Sequence, residues 1–408
     1  MNAESLSPSI DADVAAGLAR VLILHNRYRQ PGGEDVVVAA QAELLRKRGH
    51  AVHVLEKDNS EIDSYGFFRK ALLFFEMSEN ARAAAEVEKI VHEFKPDVAI
   101  VHNFLPLLSP SIYKPLKRNG VKVVQYLHNY RLVCAAGTLY RDGKACSLCV
   151  DDGLKHAVAN RCWNDSKIAS LGVTRMLDRH RRAQTWHTDV DLFVTLNGYQ
   201  RELLVNAGVI PAARTIVHPN FLASDEAPPE AGVAGEGFMF AGRLMPEKGV
   251  QTLLNAHATL KDVRLTIFGD GPLRDALMNQ YTQPGVEFPG HRPRAEVRSR
   301  MVSARAVIVP SEWPEVFGLT AIEAMALGRP VIASRVAGPR EIVEDKSTGL
   351  LFDPGNSEQL ADCMRHLNAA PDVAVEMGRA GRARYEKLYD AEAGYRNLQD
   401  VFQRAGVK

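Results

Sequence analysis

The feature that most constrains how this chain folds is an alternation of short apolar segments with amphipathic segments, which occurs twice along the sequence. The apolar segment at 20–25, for example, precedes a segment at 33–49 whose apolar side chains recur at helical spacing. Strands that alternate with helices build a parallel sheet covered on both faces. We therefore predict an α/β fold in each half of the chain. The predicted strands are residues 20–25, 51–55, 97–102, 121–127 and 191–195 in the first half, and 237–241, 264–268, 306–310 and 330–333 in the second.

A stretch rich in proline, glycine and acidic residues separates the two series, at 224–236, and has the composition of a linker between domains. A chain of 408 residues is longer than one ordinary domain and suits two. We predict a flexible tail at 1–19, a first domain at 20–223, a second domain at 237–385, and a final helix at 386–408 that crosses back to the first domain.

Composition argues against two classes of protein. The formal net charge is +1, whereas proteins that bind nucleic acid usually carry a large basic excess, so we expect no nucleic-acid partner. No run of about eighteen apolar residues occurs, so we expect no membrane-spanning segment. The first twenty residues lack a basic stretch followed by an apolar one, as a secretory signal would have. We therefore expect a cytoplasmic protein.

Two loops that follow predicted strands of the second half carry candidate ligand-binding residues. Arg243 and Lys248 lie five residues apart on a loop that opens into a helix, where two cations and the helix N-terminus suit a diphosphate. Gly269 and Gly271 follow the strand at 264–268, and glycines there allow backbone to come close to a ligand. The alternative for both loops is an ordinary turn.

A third loop of the second half carries two glutamates. Glu315 lies in the loop and Glu323 on the helix that follows. The backbone N–H groups of residues 318–320, at the helix start, can hold a phosphate. Glu315 then lies beside the anion, where it can accept hydrogen bonds from sugar hydroxyls, and Glu323 lies deeper, at a place that suits a ribose. The alternative is that both are acids favoured by the helix dipole.

These residues form motifs that resemble those of the family 4 glycosyltransferases. Glu315 and Glu323 form an E-x7-E motif, and the run from Glu315 to Ser334 is similar to that family throughout. Gly242-Arg-Leu, Glu247-Lys-Gly, Gly269-Asp-Gly-Pro and a turn at 349–355 follow the family's order. The resemblance covers about residues 20 to 400. It implies the GT-B fold, in which two Rossmann-like, doubly wound domains face each other across a cleft. It also implies a nucleotide-sugar donor and retention of anomeric configuration without a catalytic metal.

The resemblance also assigns roles to single residues of the second half. Arg243 and Lys248 would hold the donor diphosphate and offset its charge as the bond breaks, Glu315 would contact the donor sugar, and Glu323 the ribose. The stretch 336–341 departs from the family in keeping one glycine where many members have two. The residues that would line the sugar and phosphate pocket are Val316, Phe317, Gly318 and Leu319.

The first half carries the candidate acceptor side. Gly32 and Gly33, at the head of a helix, match the family's glycine loop, which faces the donor phosphate across the cleft. His128 follows a strand where the family places a histidine near the reacting carbon, so it is a candidate catalytic residue. The alternatives are a flexible turn and a structural histidine. Weaker candidates for acceptor contacts are His102, Asn103 and Asn129.

Four cysteines form a separate signal in an insertion at 134–162. Cys134, Cys146, Cys149 and Cys162 have the spacing C-x11-C-x2-C-x12-C, whose middle pair resembles a zinc knuckle. Four thiolates would complete a tetrahedron, so we expect a structural zinc without a catalytic position. The alternatives are free thiols or a redox pair at Cys146 and Cys149. A subset of the family looks similar here, with cysteines after an H-N-Y-R motif.

The aromatic segment at 67–75 places four phenylalanines around two cations, which suits a membrane-surface or lipid-acceptor contact, and the alternative is a packed helix. The sequence thus predicts a retaining glycosyltransferase that moves a sugar from a UDP- or GDP-linked donor to a glycan or lipid-linked acceptor, in cell-envelope or exopolysaccharide synthesis. The alternatives are a nucleotide-sugar epimerase or a non-catalytic scaffold. A phosphorylase would need a pyridoxal-binding lysine, which nothing marks, and a dehydrogenase would need a G-x-G-x-x-G after the first strand.

Overall fold

A computed structural model of the protein describes residues 18–29, 32–222, 234–282 and 284–407. These residues form one six-stranded parallel sheet in each half and a short antiparallel hairpin in the cysteine-containing insertion. The strands of the first half are β1 (Arg20–Arg27), β2 (Ala51–Asp58), β3 (Val98–Val101), β4 (Lys122–Leu127), β5 (Tyr140–Arg141), β6 (Lys144–Ala145), β7 (Leu192–Thr195) and β8 (Thr215–Val217). Those of the second are β9 (Phe238–Ala241), β10 (Leu265–Phe268), β11 (Val286–Gly290), β12 (Ala306–Val309), β13 (Val331–Ser334) and β14 (Gly349–Phe352).

Helices connect the strands and cover the sheets, as the alternating pattern predicts. The helices of the first half are α1 (Gly33–Lys47), α2 (Phe67–Glu76), α3 (Ala81–Phe94), α4 (Tyr113–Arg118), α5 (Leu148–Asp151), α6 (Lys155–Ala159), α7 (Lys167–Arg182), α8 (Thr185–Thr188) and α9 (Gly198–Asn206). Those of the second are α10 (Val250–His257), α11 (Arg274–Gln280), α12 (Arg294–Ser303), α13 (Leu319–Ala326), α14 (Ala337–Ile342), α15 (Ser357–Ala369), α16 (Pro371–Leu388) and α17 (Ala391–Ala405). The predicted α/β fold with two doubly wound sheets is confirmed.

The order of strands defines where each sheet can bind a ligand. The first sheet runs β2-β1-β3-β4-β7-β8 and the second runs β11-β10-β9-β12-β13-β14, with parallel pairing throughout. Strand order therefore reverses between β1 and β3 in the first sheet and between β9 and β12 in the second. Crevices for ligands form at such points, at the carboxyl ends of the strands. The candidate residues all lie on or beside the loops that follow these and neighbouring strands.

The last helix, α17, packs against the first domain although it follows the second in sequence. The hydroxyl of Tyr395 donates to His50 Nε2 at 3.2 Å, and His218 Nε2 lies 2.8 Å from Asp400. A hydrophobic cluster also runs without interruption from β1 to α17. The final helix thus joins the two halves of the chain. The predicted tail at 1–19 and linker at 224–236 lie almost entirely outside the described residues.

Candidate donor and acceptor site

The loops after β9 and β12 bring Lys248 and Glu315 together at the reversal point of the second sheet. Lys248 Nζ lies 2.6 Å from Glu315 Oε1, and the hydroxyl of Ser311 donates to the other carboxylate oxygen. Glu315 is buried, and the Lys248 ammonium also lies 5.4 Å from the centre of the Trp313 ring. Three contacts therefore hold the two side chains in place, and both remain at the mouth of the crevice.

Arg243, on the loop after β9, is exposed and unpaired. Its guanidinium lies 3.8 Å from the sulfur of Met245, and no carboxylate pairs with it anywhere in the part of the chain that the structure describes. Helix α13 begins after Gly318, whose φ of 105° lets the chain turn sharply into the helix. The first N–H groups of a helix have no partner within it, so this end can accept an anion. An exposed arginine, a lysine and a helix N-terminus thus all lie on the loops that follow β9 and β12.

Gly269 and Gly271 bring two loops of the second domain together. Both have a positive φ, of 129° and 157°, and a Cβ on Gly269 would overlap with the carbonyl oxygen of Gly242. A Cβ on Gly271 would lie 2.5 Å from the carbonyl oxygen of Leu244. These glycines therefore allow the loop after β10 to touch the loop after β9. They shape the crevice through the position of the Arg243 loop.

The pocket-lining residues that the resemblance named divide into two groups. Val316 and Phe317 are buried in the core, at 2% and 6% exposure, so their backbone rather than their side chains faces the crevice. Leu319 reaches the first domain, because a Cβ on Gly33 would lie 2.6 Å from its Cδ1. The glycine loop of the first domain therefore meets the start of α13, as the resemblance implies for residues that face the donor phosphate.

The single glycine of the stretch 336–341 has a structural cause. The N–H of Gly338 donates to the carbonyl of Glu315 at 2.8 Å, and a Cβ at this position would lie 2.5 Å from the carbonyl oxygen of Phe317. The glycine that this chain keeps is thus the one that lets α14 approach the Glu315 loop. The departure from the two-glycine pattern leaves that approach intact.

Glu323 lies on α13, beyond the first turn, as the E-x7-E spacing requires. Burial raises the pKa of its carboxyl, and the positive charges of Arg294 and Arg298 partly offset that shift. Arg294 Nη2 lies 3.5 Å from Glu323 Oε1, with both side chains partly exposed. Glu323 therefore remains accessible to a ligand at the edge of the crevice.

In the first domain His128 and His102 are joined by a hydrogen bond. His102 Nδ1 lies 2.8 Å from His128 Nε2, and His102 Nε2 lies 2.9 Å from Gln41 Oε1. Burial lowers the pKa of His128 to about 3 and that of His102 well below its usual value, so both rings are neutral near pH 7. His102 is buried and His128 is partly exposed, so His128 faces the cleft and His102 supports it from behind.

The other two acceptor candidates also differ from each other. Asn103 is buried and donates to the carbonyl of Asn26 at 2.7 Å while its oxygen accepts from the N–H of Leu105 at 3.0 Å. Its side chain therefore holds the loop together. Asn129 is partly exposed and donates to the hydroxyl of Tyr28 at 3.3 Å, so it remains at the cleft.

Glu34 and its neighbours form a buried polar group at the start of α1 that the sequence did not reveal. The hydroxyl of Tyr28 donates to Glu34 at 2.8 Å, and His25 Nδ1 lies 3.9 Å from the same carboxylate. Asp35 accepts from His25 at 2.8 Å and from the N–H of Gly32 at 2.7 Å, which fixes the glycine loop. Burial raises the pKa of Glu34 to about 7.

A contact across the cleft was also missed. The hydroxyl of Tyr140, in the β5–β6 hairpin, donates to Glu312 Oε2 at 3.1 Å, and Thr252 donates to the other oxygen at 2.5 Å. Glu312 directly precedes Trp313 in the loop after β12. The cysteine-containing insertion of the first domain thus touches the donor loop of the second. Nothing in the spacing of residues more than 170 positions apart could have indicated this pair.

The four cysteines of the insertion lie within electrostatic reach of one another. Burial raises the pKa of Cys149 to about 11, and the thiols of Cys134, Cys162 and Cys146 add to that shift. All four are free thiols, and Cys134 and Cys149 pack into the hydrophobic core. Within the described ranges, no three or more histidine, cysteine or acidic side chains are arranged to hold a metal ion. The structure therefore does not confirm the predicted zinc site, because the thiols do not converge on one point.

Comparison with known families agrees with this architecture. Residues 31–226 match a family model described as Glycosyltransferase Family 4, and residues 233–384 match one described as Glycosyl transferases group 1. The two matches cover the two domains in turn. Each domain is thus similar to a family of glycosyltransferases, and the two parallel sheets agree with the GT-B fold.

Individual relatives are similar to parts of the chain. The sulfoquinovosyl transferase of Arabidopsis thaliana is 31% identical over 41% of this chain and 33% of its own length. The alpha-D-kanosaminyltransferase of Streptomyces kanamyceticus is 27% identical over 41% of this chain and 46% of its own. An uncharacterized 42.6 kDa protein in the cps region of Klebsiella pneumoniae is 23% identical over 79% of this chain and 87% of its own. The chain thus spans a third to about half of the length of the first two of these relatives.

Solved structures share the fold over nearly the whole chain. Sucrose-phosphate synthase from Thermosynechococcus elongatus has a TM-score of 0.72 at 20% identity and covers 95% of this chain and 98% of its own. Anabaena HepE in complex with UDP and glucose has a TM-score of 0.66 at 18% identity and covers 94% and 99%. The GT-B fold is therefore confirmed.

Proposed function

We propose that this protein is a retaining glycosyltransferase that moves a sugar from a UDP- or GDP-linked donor to a glycan or lipid-linked acceptor in cell-envelope or exopolysaccharide synthesis. The observation that carries the proposal is the group at the reversal point of the second sheet. There the exposed Arg243, which pairs with no carboxylate among the described residues, the Lys248–Glu315 pair and the start of α13 all follow strands β9 and β12. Two cations and a helix N-terminus bind a diphosphate, and the carboxylate beside them binds sugar hydroxyls.

The chemistry follows from these charges. The bond between the anomeric carbon of the sugar and the diphosphate oxygen breaks, and the hydroxyl oxygen of the acceptor forms a bond to that carbon. Negative charge then develops on the leaving diphosphate, where Arg243 and Lys248 stabilise it. The hydroxyl proton passes to the leaving phosphate, with attack from the same face, so that the anomeric configuration is retained. Lys248 can leave Glu315 for the phosphate, because both already lie at the crevice.

Binding of a nucleotide-sugar panel, UDP- and GDP-linked, tests this site by calorimetry. We expect one donor to bind the wild-type protein and to lose roughly tenfold to a hundredfold in affinity in Arg243→Ala, since a hydrogen bond to a charged group contributes about 1.5–3 kcal/mol. Arg365→Ala, on the exposed face of α15, is the matched control. If the Arg243→Ala and Arg365→Ala variants bind the donor with equal affinity, Arg243 does not bind the diphosphate.

Product analysis separates the two alternative functions from transfer. A nucleotide-sugar epimerase would release free nucleotide from the donor without an acceptor, whereas a transferase would need one. A scaffold would be expected to lose charged residues that only chemistry requires, yet Arg243 is present and Lys248 and Glu315 form a pair. Release of nucleotide that depends on added acceptor would support transfer, and anomeric analysis of the product by NMR would test retention.

We also propose that the protein contacts the inner face of a membrane through helices α2 and α7. No helix in the described part of the chain is long and apolar enough to cross a membrane. Yet Phe67, Phe68, Phe75 and Ile168 are 82%, 87%, 57% and 73% exposed. The guanidinium of Arg175 lies 5.3 Å from the Phe75 ring, so the two helices present one continuous surface.

The charge of this surface favours anionic lipid. Lys70 and Lys167 are exposed, and neither pairs with a carboxylate among the residues that the structure describes. Apolar side chains flanked by cations bind the boundary between headgroups and acyl chains. We expect cosedimentation with vesicles containing phosphatidylglycerol, a loss of at least about tenfold in Phe67→Ser/Phe68→Ser, and unchanged binding in Met278→Ser, an exposed site of the second domain. Equal binding by both variants would contradict the proposal.

A structural zinc at the four cysteines remains a hypothesis. Its support is the spacing and the mutual influence of the thiols, and binding would require them to turn toward one point. Metal analysis of protein purified without chelator tests it. One zinc per chain, lost in Cys146→Ser/Cys149→Ser, would support the site, and metal-free, folded protein with reactive thiols would refute it.

A further inference from the structure

The histidine that faces the cleft, His128, is the end of a chain of hydrogen bonds that reaches into the core of the first domain. His128 Nε2 and His102 Nδ1 lie 2.8 Å apart, and His102 Nε2 and Gln41 Oε1 lie 2.9 Å apart. The Gln41 amide also bonds the hydroxyl of Tyr126. Gln41 lies on the buried face of α1 among apolar residues, at 2% exposure, and His102 is 3% exposed. Water therefore does not compete for these bonds.

The order of donors along this chain determines which nitrogen of each ring carries a proton. The atom of Gln41 that faces His102 Nε2 is its carbonyl oxygen Oε1, which can only accept a hydrogen bond. His102 must then carry its proton on Nε2, which makes Nδ1 an acceptor. A neutral ring has one proton. His128 consequently donates from Nε2, and its Nδ1 carries a lone pair.

The charged groups around these rings do not reverse this order. His128 lies within electrostatic range of His25, whose positive charge would oppose protonation, and of Asp35, whose negative charge would favour it. His25 and Asp35 bond each other at 2.8 Å, so neither forms a hydrogen bond to His128. Both rings of the pair thus remain neutral near pH 7, and the hydrogen-bond order described above applies.

We propose that Gln41 and His102 are positioning residues that hold His128 as its Nε2–H tautomer and so present Nδ1 at the cleft as a hydrogen-bond acceptor. This rests on the function proposed above and deepens it. A group that meets His128 Nδ1 must then be a donor, and at the cleft of a sugar-transferring protein that donor is a sugar hydroxyl. A phosphate oxygen or a carboxylate at this position is repelled by the same lone pair.

Nitrogen NMR of protein labelled at histidine tests the tautomer directly, without substrate. Comparison with His128→Asn assigns the His128 signals. We expect a protonated Nε2 and an unprotonated Nδ1 in the wild-type protein from pH 6 to 8. In Gln41→Leu the acceptor is lost, so His102 shifts its proton to Nδ1 and His128 becomes the Nδ1–H tautomer. Gln41→Glu keeps an acceptor oxygen and is expected to keep the wild-type tautomer.

Kinetics then connect the tautomer with the reaction. With the donor found by calorimetry, we expect Gln41→Leu to lower kcat/KM about tenfold, the worth of one hydrogen bond, and Gln41→Glu to restore most of it. Nucleotide diphosphate alone should bind the wild-type, Gln41→Leu and Gln41→Glu proteins equally, because the hydrogen-bonded residues that end at His128 contact only the sugar. An Nδ1–H tautomer in the wild-type protein overturns the proposal even if Gln41→Leu fails to fold. A correct tautomer in a protein that transfers no sugar would instead refute the proposed function alone.

Discussion

At the scale of single residues, Glu34 is the carboxyl whose protonation most affects the stability of the first domain. Burial raises its pKa to about 7, whereas an unfolded chain would release the proton near pH 4.5. The folded state thus holds a proton that the unfolded state releases, and stability falls as pH rises from about 4.5 to 7. We expect Glu34→Gln to raise the free energy of unfolding by about 3 kcal/mol at pH 8 and hardly at all at pH 4.

Denaturant unfolding at the two pH values measures this difference. Glu376→Gln, on the exposed face of α16, is the control and should follow the wild-type protein at both. If Glu34→Gln gains no stability at pH 8, the contacts of Glu34 with Tyr28 and His25 offset the cost of burying its charge, and the prediction is wrong.

The same scale applies to Glu315, whose two oxygens bind Lys248 and Ser311. Its replacement by alanine removes both contacts and the acceptor for sugar hydroxyls. We expect Glu315→Ala to reduce kcat by about a hundredfold or more, as for loss of a group that stabilises a transition state, while circular dichroism shows a folded protein. Glu296→Ala, on the surface of α12, should keep full activity. Retained transfer by Glu315→Ala would exclude this carboxylate from the reaction.

At the scale of elements, the sequence predicted the strands that lie inside the sheets and the edge strand β2, but missed the edge strands β8, β11 and β14. β10, β12 and β13 are wholly buried and therefore apolar except for Thr266 and Ser334, so their pattern is strong. β8 and β11 lie at edges, where exposed positions interrupt the apolar run, and β14, also at an edge, was interpreted as a turn. Neighbouring strands and helices provide the packing that holds such edge segments in the sheet. This pairing cannot be derived from the local sequence.

The candidate site follows the same rule. Lys248 and Glu315 could be expected to meet, because their loops follow strands at one end of a sheet. The role of Gly269 could not be predicted, since it depends on where the loop of Gly242 lies in space. Nor could Asn103 be separated from Asn129, because only the fold shows which amide is already bonded within its loop.

The contact between the loops after β9 and β10 gives a prediction at this scale. In Gly269→Ala the added Cβ overlaps with the Gly242 carbonyl, and alanine is also strained at a φ of 129°. We expect a loss of at least about 3 kcal/mol in the free energy of unfolding, or failure to fold. Gly66→Ala, where nothing lies within 4 Å of the new atom, should be nearly neutral. Denaturant unfolding of both variants compares them, and a stable Gly269→Ala protein would show that the two loops separate easily.

At the scale of the whole molecule, three contacts join the two domains beside the cleft. Asn197 donates from Nδ2 to the carbonyl of Val316 at 2.5 Å, Glu341 accepts from the N–H of Gly198 at 2.9 and 3.1 Å, and Tyr140 donates to Glu312. Asn197 also caps α9 by accepting from the N–H of Gln200 at 2.7 Å. The loop that carries Glu315 is therefore held partly by the other domain.

This arrangement predicts that Asn197 controls how the domains sit relative to each other. Asn197→Ala loses a helix cap, worth about 1 kcal/mol, together with the bond to Val316. Asn356→Ala loses the cap of α15, whose bond to the N–H of Gln359 lies within the second domain, and is the matched control. We expect Asn197→Ala to be destabilised more than Asn356→Ala, and only Asn197→Ala to show a larger radius of gyration by X-ray scattering and weaker donor binding. If the two variants scatter identically, the remaining contacts between the domains, together with α17, fix their relative position without Asn197.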